Sequence, residues 1–223
     1  MTGKPPDFDR IAQAYQSLEY LTLGPLLERT RACHLALLQD CSEALILGDG
    51  DGRFTAKLLA RNREIHVQAV DVSGVMLNLL RARCAAQRSR LETFQMDARR
   101  FQPRGTPDLV VTHFFLDCLT QNEVDQLVAG VSPRLASNAL WVVSDFRIPD
   151  GAMHWPAWIS IRLLYFAFRL LTGLRTNRLP DHGAALMQCG FVKVTSQRRM
   201  AGMLFSEVWQ KKESSPQSNP RKH

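Results

Sequence analysis

The sequence predicts an α/β protein built on a doubly wound, mostly parallel sheet of seven strands, and three observations carry that prediction. Apolar runs that read as strands alternate with 3.6-periodic runs that read as helices, from residue 43 to residue 145. The first run, Ala44-Leu45-Ile46-Leu47, enters a loop with glycine at every second position, Gly48, Gly50 and Gly52, and the next apolar run ends on Asp71. Near the C-terminus two further strand-like runs face each other across Met200-Ala201-Gly202, which predicts an antiparallel closing pair.

Phe8, Ile11, Ala12, Tyr15 and Leu18 recur at helical spacing and a second periodic stretch covers 26–38, so residues 8–40 read as a helical N-terminal cap. Strands are expected at 43–48, His66–Asp71, 91–96, Leu109–His113 and 139–145, each a short apolar run bounded by turn residues. Helices are expected between them at 54–60, 75–87 and 123–135. Right-handed crossovers then align the carboxyl ends of the strands, and with them Gly48 to Gly52, Asp71, Asp97 and His113 to Asp117, along one crevice. Residues 181–188 read as a short helix that leads into strands at 191–197 and 203–210, paired as a hairpin.

Residues 155–174 are strongly apolar, but Arg162 and Arg169 interrupt them on one helical face, which argues against a membrane span. Three readings stay open there: a substrate-covering lid, an interfacial helix that draws a lipid-like acceptor from a bilayer, or plain packing on the sheet edge. The expected organisation is one domain over 8–212, with 152–189 as lid or substrate region and disordered ends at 1–7 and 213–223, the latter rich in Ser, Pro, Gln and Lys.

A chain of 223 residues is long enough for one well-buried domain and short for two. Its net charge of +7 comes from dispersed arginines rather than blocks of one sign. Such a surface is either simply solvated or weakly attractive to nucleic acid, anionic lipid or acidic substrates. The five cysteines are odd in number and form no C-x-x-C pair, so neither a disulfide framework nor a metal site is expected. With no leader-like N-terminal pattern, the reducing cytoplasm is the expected compartment.

An apolar strand, a glycine loop, a helix and a second strand that closes on a carboxylate make a nucleoside site, with Asp71 able to accept both hydrogen bonds of a ribose diol. The dinucleotide fingerprint G-x-G-x-x-G fails, because its sixth position is Arg53 counted from Gly48 and Thr55 counted from Gly50. Asp49 and Asp51 in the loop would repel a pyrophosphate and tolerate a ligand that carries a sulfonium and an ammonium.

These residues resemble the class I S-adenosylmethionine-dependent methyltransferases, whose first motif is an apolar strand that runs into G-x-G-x-G. The resemblance covers residues 8–211 and implies a Rossmann-like fold, S-adenosylmethionine as methyl donor, and no metal. It implies that Gly48, Gly50 and Gly52 pass under the methionine part of the donor, that Asp71 holds the ribose, and that Val72 and Met76 line the same pocket. In Phe94-Gln95-Met96-Asp97-Ala98, Asp97 matches the acid that accepts from the adenine amino group, beside Ala98. The run from Asp108 to Asp117 resembles the strand that delivers the reacting edge, with His113 also among the donor contacts. Phe8-Asp9-Arg10-Ile11-Ala12-x-x-Tyr15 is similar to the start of small-molecule methyltransferases near the ubiquinone and menaquinone biosynthesis group, where this segment closes over the donor and Tyr15 would touch it. The family's acid two residues before the first glycine is Ile46 here, so recognition of the donor's ammonium would pass to Asp49 or Asp51.

Several of these positions also have plain structural readings. Asp71 can act as a turn acid before a helix, Asp97 as a turn cap, Tyr15 as a packing residue, His113 as a rim residue and Asp117 as a helix cap. Methyl transfer from a sulfonium is an in-line displacement that gains most from alignment, and it needs a base such as His113 or Asp117 only for a protonated acceptor. The expected acceptor is a small, apolar or aromatic organic molecule. No [DN]-P-P-[YF] segment follows the fourth strand, so no nucleic-acid acceptor is expected through that motif. RNA or protein methylation by another route, aminopropyl transfer, and a non-catalytic donor-binding protein are the alternatives; the oligomeric state is not encoded.

Overall fold

The computed structural model describes residues 24–147 and 179–212. Their order is α1 (Gly24–Ala32), β1 (Glu43–Leu47), α2 (Arg53–Arg61), β2 (His66–Asp71), α3 (Gly74–Arg83), β3 (Leu91–Gln95), β4 (Leu109–His113), α4 (Gln121–Val131), β5 (Leu140–Phe146), α5 (His182–Gln188), β6 (Phe191–Arg199) and β7 (Leu204–Lys211), with 3-10 turns between several of them. Tyr15 and the rest of the cap before residue 24, the stretch 155–174 and the tail 213–223 lie outside the described residues. The seven strands form one sheet in the order β3-β2-β1-β4-β5-β7-β6. β1 to β5 are parallel, and β7 inserts antiparallel between β5 and β6. The winding direction reverses between β1 and β4, which opens a crevice at their carboxyl ends.

The central strands are apolar at consecutive positions because both faces of the sheet are covered. Leu45, Leu47, Val110, Trp141 and Val143 pack on one face against Val124, Leu127 and Val128 of α4 and Leu186 of α5. Ala44, Ile46, Val111, Val142 and Val208 pack on the other against Phe54 and Leu58 of α2 and Leu80 of α3. Each large side chain buried in this way contributes about 1.5–3 kcal/mol. Polar side chains tie the strand ends. The Asp108 carboxylate accepts from the Ser42 amide at 2.8 Å, the Ser42 hydroxyl at 2.8 Å and the Glu43 amide at 3.0 Å, which sets the start of β1 beside β4.

Three helices are shorter than periodicity predicts. Over 26–38, α1 stops at Ala32, and His34 turns inward to donate to the Ser206 carbonyl at 3.1 Å before the 3-10 turn Leu35–Leu38. Over 75–87, α3 stops at Arg83 and the turn Ala85–Arg90 follows, where the Arg90 guanidinium donates to the carbonyls of Leu59, Asn62 and Ile65. Over 123–135, α4 starts early, at Gln121, because Thr120 and Glu123 form a reciprocal capping box, and ends at Val131 before the Pro133 turn. In all three, a tertiary hydrogen bond or a cap overrides the apolar period.

Gly52 carries a packing demand of its own. Its φ is +78°, and a Cβ there would lie 2.9 Å from the Leu80 Cα and 2.5 Å from its Cγ, because α2 and α3 cross at this point. Gly52→Ala is expected to destabilise the fold by about 3 kcal/mol, from left-handed strain plus overpacking. Gly130→Ala, in α4 with nothing within 4 Å of the new methyl group, should instead stabilise by about 0.5–1 kcal/mol. Denaturant unfolding of the two variants beside the parent checks the opposite signs.

Candidate functional site

β1 stops at Leu47 because Gly48 turns the chain out of the sheet at φ +70°, with its amide donating to the Val70 carbonyl at 2.9 Å. A Cβ on Gly48 would meet the Phe115 ring at 2.4 Å, so the loop is pressed against the turn that follows β4. Gly50 differs from its neighbours. Its φ is +60°, yet among the described residues a Cβ there would meet only the Met76 sulfur, at 3.9 Å. Among the described residues, packing therefore fills the space beside Gly48 and Gly52 and leaves the space beside Gly50 open.

Asp71 closes the other wall. Its carboxylate accepts from the Ser73 amide at 2.9 Å, and the backbone amides of Gly50 and Val72 also favour its charged form, so the tip of β2 faces the middle of the glycine loop. Burial pushes its pKa up to about 6, against those three amides. Ser73 caps α3 through the Met76 amide at 3.2 Å, and this places Met76, buried, beside Gly50.

The loop acids serve the loop itself. The Asp49 carboxylate accepts from the Thr55 amide at 2.9 Å and its hydroxyl at 2.6 Å, which ties the loop to the first turn of α2; burial raises its pKa. Asp51 lies between the Arg53 and Arg83 guanidiniums at 2.9 and 2.8 Å. Its charge is matched inside the protein, so the expectation that Asp51 could receive an ammonium is corrected. Ile46 is 1% exposed in the α2-side core, where a carboxylate would be stranded among apolar side chains.

Asp97 caps the 3-10 turn Ala98–Arg100 through the Arg99 amide and pairs with the Arg99 guanidinium, which also reaches Glu123. The Arg99 hydrogen bonds hold the Asp97 carboxyl below the usual carboxylate range. Ala98 is buried beside it. The acid thus stands on the crevice wall at the end of β3 and caps a turn, as one of its two sequence readings has it.

His113 is not a rim residue. It is 2% exposed and packs edge-on to Phe54 with ring centroids 4.4 Å apart, and neither ring nitrogen has a hydrogen-bond partner among the described residues. Burial, then the nearby Arg31 and His34, lower its pKa well below the ordinary value, so the ring is neutral. The next residue, Phe114, adopts φ +53° and swings the chain across, with its ring 5.1 Å from Phe146 and the Arg31 guanidinium 5.0 Å above it. Asp117 follows in the turn Leu116–Cys118 and is buried; its amide donates to the Asp145 carboxylate at 3.1 Å.

Asp145, at the end of β5, is a residue that the sequence reading did not single out. It is 4% exposed, and burial and the Asp117 carboxyl raise its pKa well above the ordinary value. The available signal was positional: an acid that ends an apolar strand, as Asp71 does. Among the described residues no cluster of His, Cys, Asp and Glu is arranged to hold a metal ion, and no helix is long and apolar enough to cross a membrane.

Comparison with known proteins agrees with this geometry. Residues 44–138 match a family model described as a methyltransferase domain. No curated protein matches the chain. Among solved structures, an O-methyltransferase family protein from Burkholderia thailandensis superposes with a TM-score of 0.66 at 17% identity, over 92% of this chain and 61% of that one. The N-methyltransferase NodS from Bradyrhizobium japonicum WM9, in complex with S-adenosyl-L-homocysteine, gives 0.60 at 17% identity, over 84% and 88%. An O-methyltransferase family 2 protein from Planctomyces limnophilus DSM 3776, in complex with apigenin, gives 0.67 at 16% identity, over 90% and 61%. The chain thus spans about three fifths of the length of the two O-methyltransferases. The fold is that of the class I S-adenosylmethionine-dependent methyltransferases, and residues 44–138 match a model of a methyltransferase domain.

Proposed function

We propose that the protein transfers a methyl group from S-adenosylmethionine to a small, apolar or aromatic organic acceptor. The observation that carries this reading is the junction of Gly50 with Asp71: an open backbone surface beside a carboxylate preset by three amides. The residues fit the donor. Gly48, Gly50 and Gly52 would run beneath its amino-acid part, Asp71 would accept from the ribose diol, and Val72 and Met76 would flank the sugar. Asp97 and Ala98 would face the base from the end of β3. Asp49, and His113 on the opposite wall, would border the amino-acid end, and Tyr15, outside the described residues, would close over it. When bound, the donor supplies an electrophilic methyl group on a sulfonium.

The chain's own part is alignment and, for an acceptor that carries a proton, removal of that proton. Of the two candidate bases, His113 is held neutral and so able to accept, although its low pKa makes it a weak base. Asp117 lies in the turn that abuts Gly48 through Phe115. The solved neighbours support the acceptor class, one with a bound flavonoid, apigenin. A cytoplasmic setting, with at most peripheral contact to a lipid-like substrate or membrane, belongs to the same reading.

Two variants test the donor site by calorimetry with S-adenosylhomocysteine. Gly50→Ala should keep the fold within about 1–2 kcal/mol of the parent, the strain of one left-handed residue, yet lose at least tenfold in affinity because the methyl group occupies the open space. Asp71→Ala should lose about tenfold to a hundredfold, the value of one charge-assisted hydrogen bond to the diol, about 1.5–3 kcal/mol. Unchanged affinity in both would contradict the reading.

The Asp71 pKa adds a pH signature. The diol binds the carboxylate form, so affinity rises with pH through the folded pKa of about 6. Affinity should fall about tenfold from pH 7 to pH 5 as that form becomes the minority, and Asp71→Asn should flatten this slope.

A further inference from the structure

The net charge of +7 is not spread evenly along the chain. Residues 53–90 hold eight of the 28 Lys and Arg and two of the 21 acids, and the remainder is nearly neutral, with 20 against 19. Of the two acids, Asp71 belongs to the crevice and Glu64 is exposed. The stretch comprises α2, β2, α3 and the turn Ala85–Arg90, and its helices cover one face of the sheet, where Phe54, Leu58 and Leu80 are buried. Its charged side chains are left to the outer face of that layer.

The fold gathers what the sequence disperses. Arg53, Lys57 and Arg61 follow one another at four-residue intervals and so lie along one side of α2. Asn62 ends the helix, and Arg63 is exposed just beyond it. By donating to the carbonyls of Leu59, Asn62 and Ile65, the Arg90 guanidinium clasps the turn Ala85–Arg90, and Arg88 with it, against this end of α2. Some cations of the layer are matched, Arg53 and Arg83 by Asp51 and Lys57 by Glu28. Arg61, Arg63 and Arg88 are exposed and have no hydrogen bond or ion pair among the described residues, and Arg81 bonds the neutral side chains of Asn78 and Thr93. Against these four stand the exposed acids Asp40 and Glu64, which leave the face positive.

Arginines grouped in this way fit a surface that presents many phosphodiester groups, because the guanidinium fork takes phosphate oxygens in pairs. The apolar neighbour decides which surface. Leu37 is 52% exposed in the turn Leu35–Leu38, and the carbonyls of Leu38, Gln39 and Cys41 accept from the Asn62 amide group, so it stands beside the arginine end of α2. Among the described residues no Phe, Tyr or Trp is exposed to stack on a nucleic-acid base. We propose that the outer face of α2, α3 and the turn Ala85–Arg90 docks on a bilayer rich in anionic phospholipid, with the arginines on the headgroups and Leu37 at the acyl boundary. The proposal does not depend on the methyl-transfer reading. Arg61 lies at the far end of the nine residues of α2 from the glycine loop, about 14 Å away, so docking leaves the crevice clear.

The test is co-sedimentation of the full chain with vesicles of phosphatidylcholine alone and of phosphatidylcholine mixed with phosphatidylglycerol in equal parts. The parent should bind the mixed vesicles and not the neutral ones. Raising the salt from about 0.1 to about 1 M, which shortens the Debye length from about 10 to about 3 Å, should release it. Arg61→Ala, Arg63→Ala and Arg88→Ala combined should weaken binding about a hundredfold, near fivefold for each arginine, and leave the S-adenosylhomocysteine affinity unchanged. Leu37→Ser should weaken binding about threefold, and with the salt series it reads the same contact if the triple variant does not fold. Equal uptake by neutral vesicles, no uptake by mixed vesicles at the lower salt, or binding indifferent to the triple variant overturns the proposal. So does displacement from the mixed vesicles by duplex RNA at equal phosphate concentration, which would assign the face to nucleic acid. No donor enters the vesicle experiment, so its failure and failure of the donor reading stay distinguishable.

Discussion

The structure depends on the contact between the backbone amide of Gly50 and the carboxylate of Asp71. It joins the loop after β1 to the tip of β2 across the mouth of the crevice. Holding an ionisable carboxyl at a buried strand end is unfavourable unless amides face it, and three do. The amides come from a loop that must turn left-handed at three points, φ +70°, +60° and +78°, and this is why glycine recurs at every second position. The loop in turn is pinned by Asp49 on Thr55 and by Asp51 between Arg53 and Arg83. The acids next to the glycines thus build the cradle, and the acid one strand away is the one presented to the crevice.

That division explains which parts were legible in the sequence. The strands His66–Asp71 and Leu109–His113 fall where the apolar runs put them, because strands buried on both faces leave an unbroken apolar signature. The antiparallel pairing of β6 with β7 was legible from the turn at Met200 to Gly202, and the insertion of β7 beside β5 from the family resemblance. Helix ends were less legible. Arg90 and His34 stop helices by reaching carbonyls far away in sequence, and no local pattern encodes such partners.

The site shows the same contrast. Gly48, Gly50, Gly52 and Asp71 announce themselves by spacing. Asp51 looked available for a cation because its two arginine partners, one of them Arg83 on another helix, do not show as a pair in the chain. His113 ends a strand, as a rim residue would, yet side-chain alternation turns it under α2 onto Phe54. Asp145 does not stand out in the sequence because the Asp117 amide that it accepts from is 28 residues away.

The central claim is that the crevice takes S-adenosylmethionine and not a pyrophosphate-bearing dinucleotide. Calorimetric titration of the parent protein with S-adenosylmethionine, in parallel with NAD, tests it most directly. The account predicts a single saturable site for S-adenosylmethionine and no heat from NAD. No binding of S-adenosylmethionine, or its displacement by NAD, would contradict it.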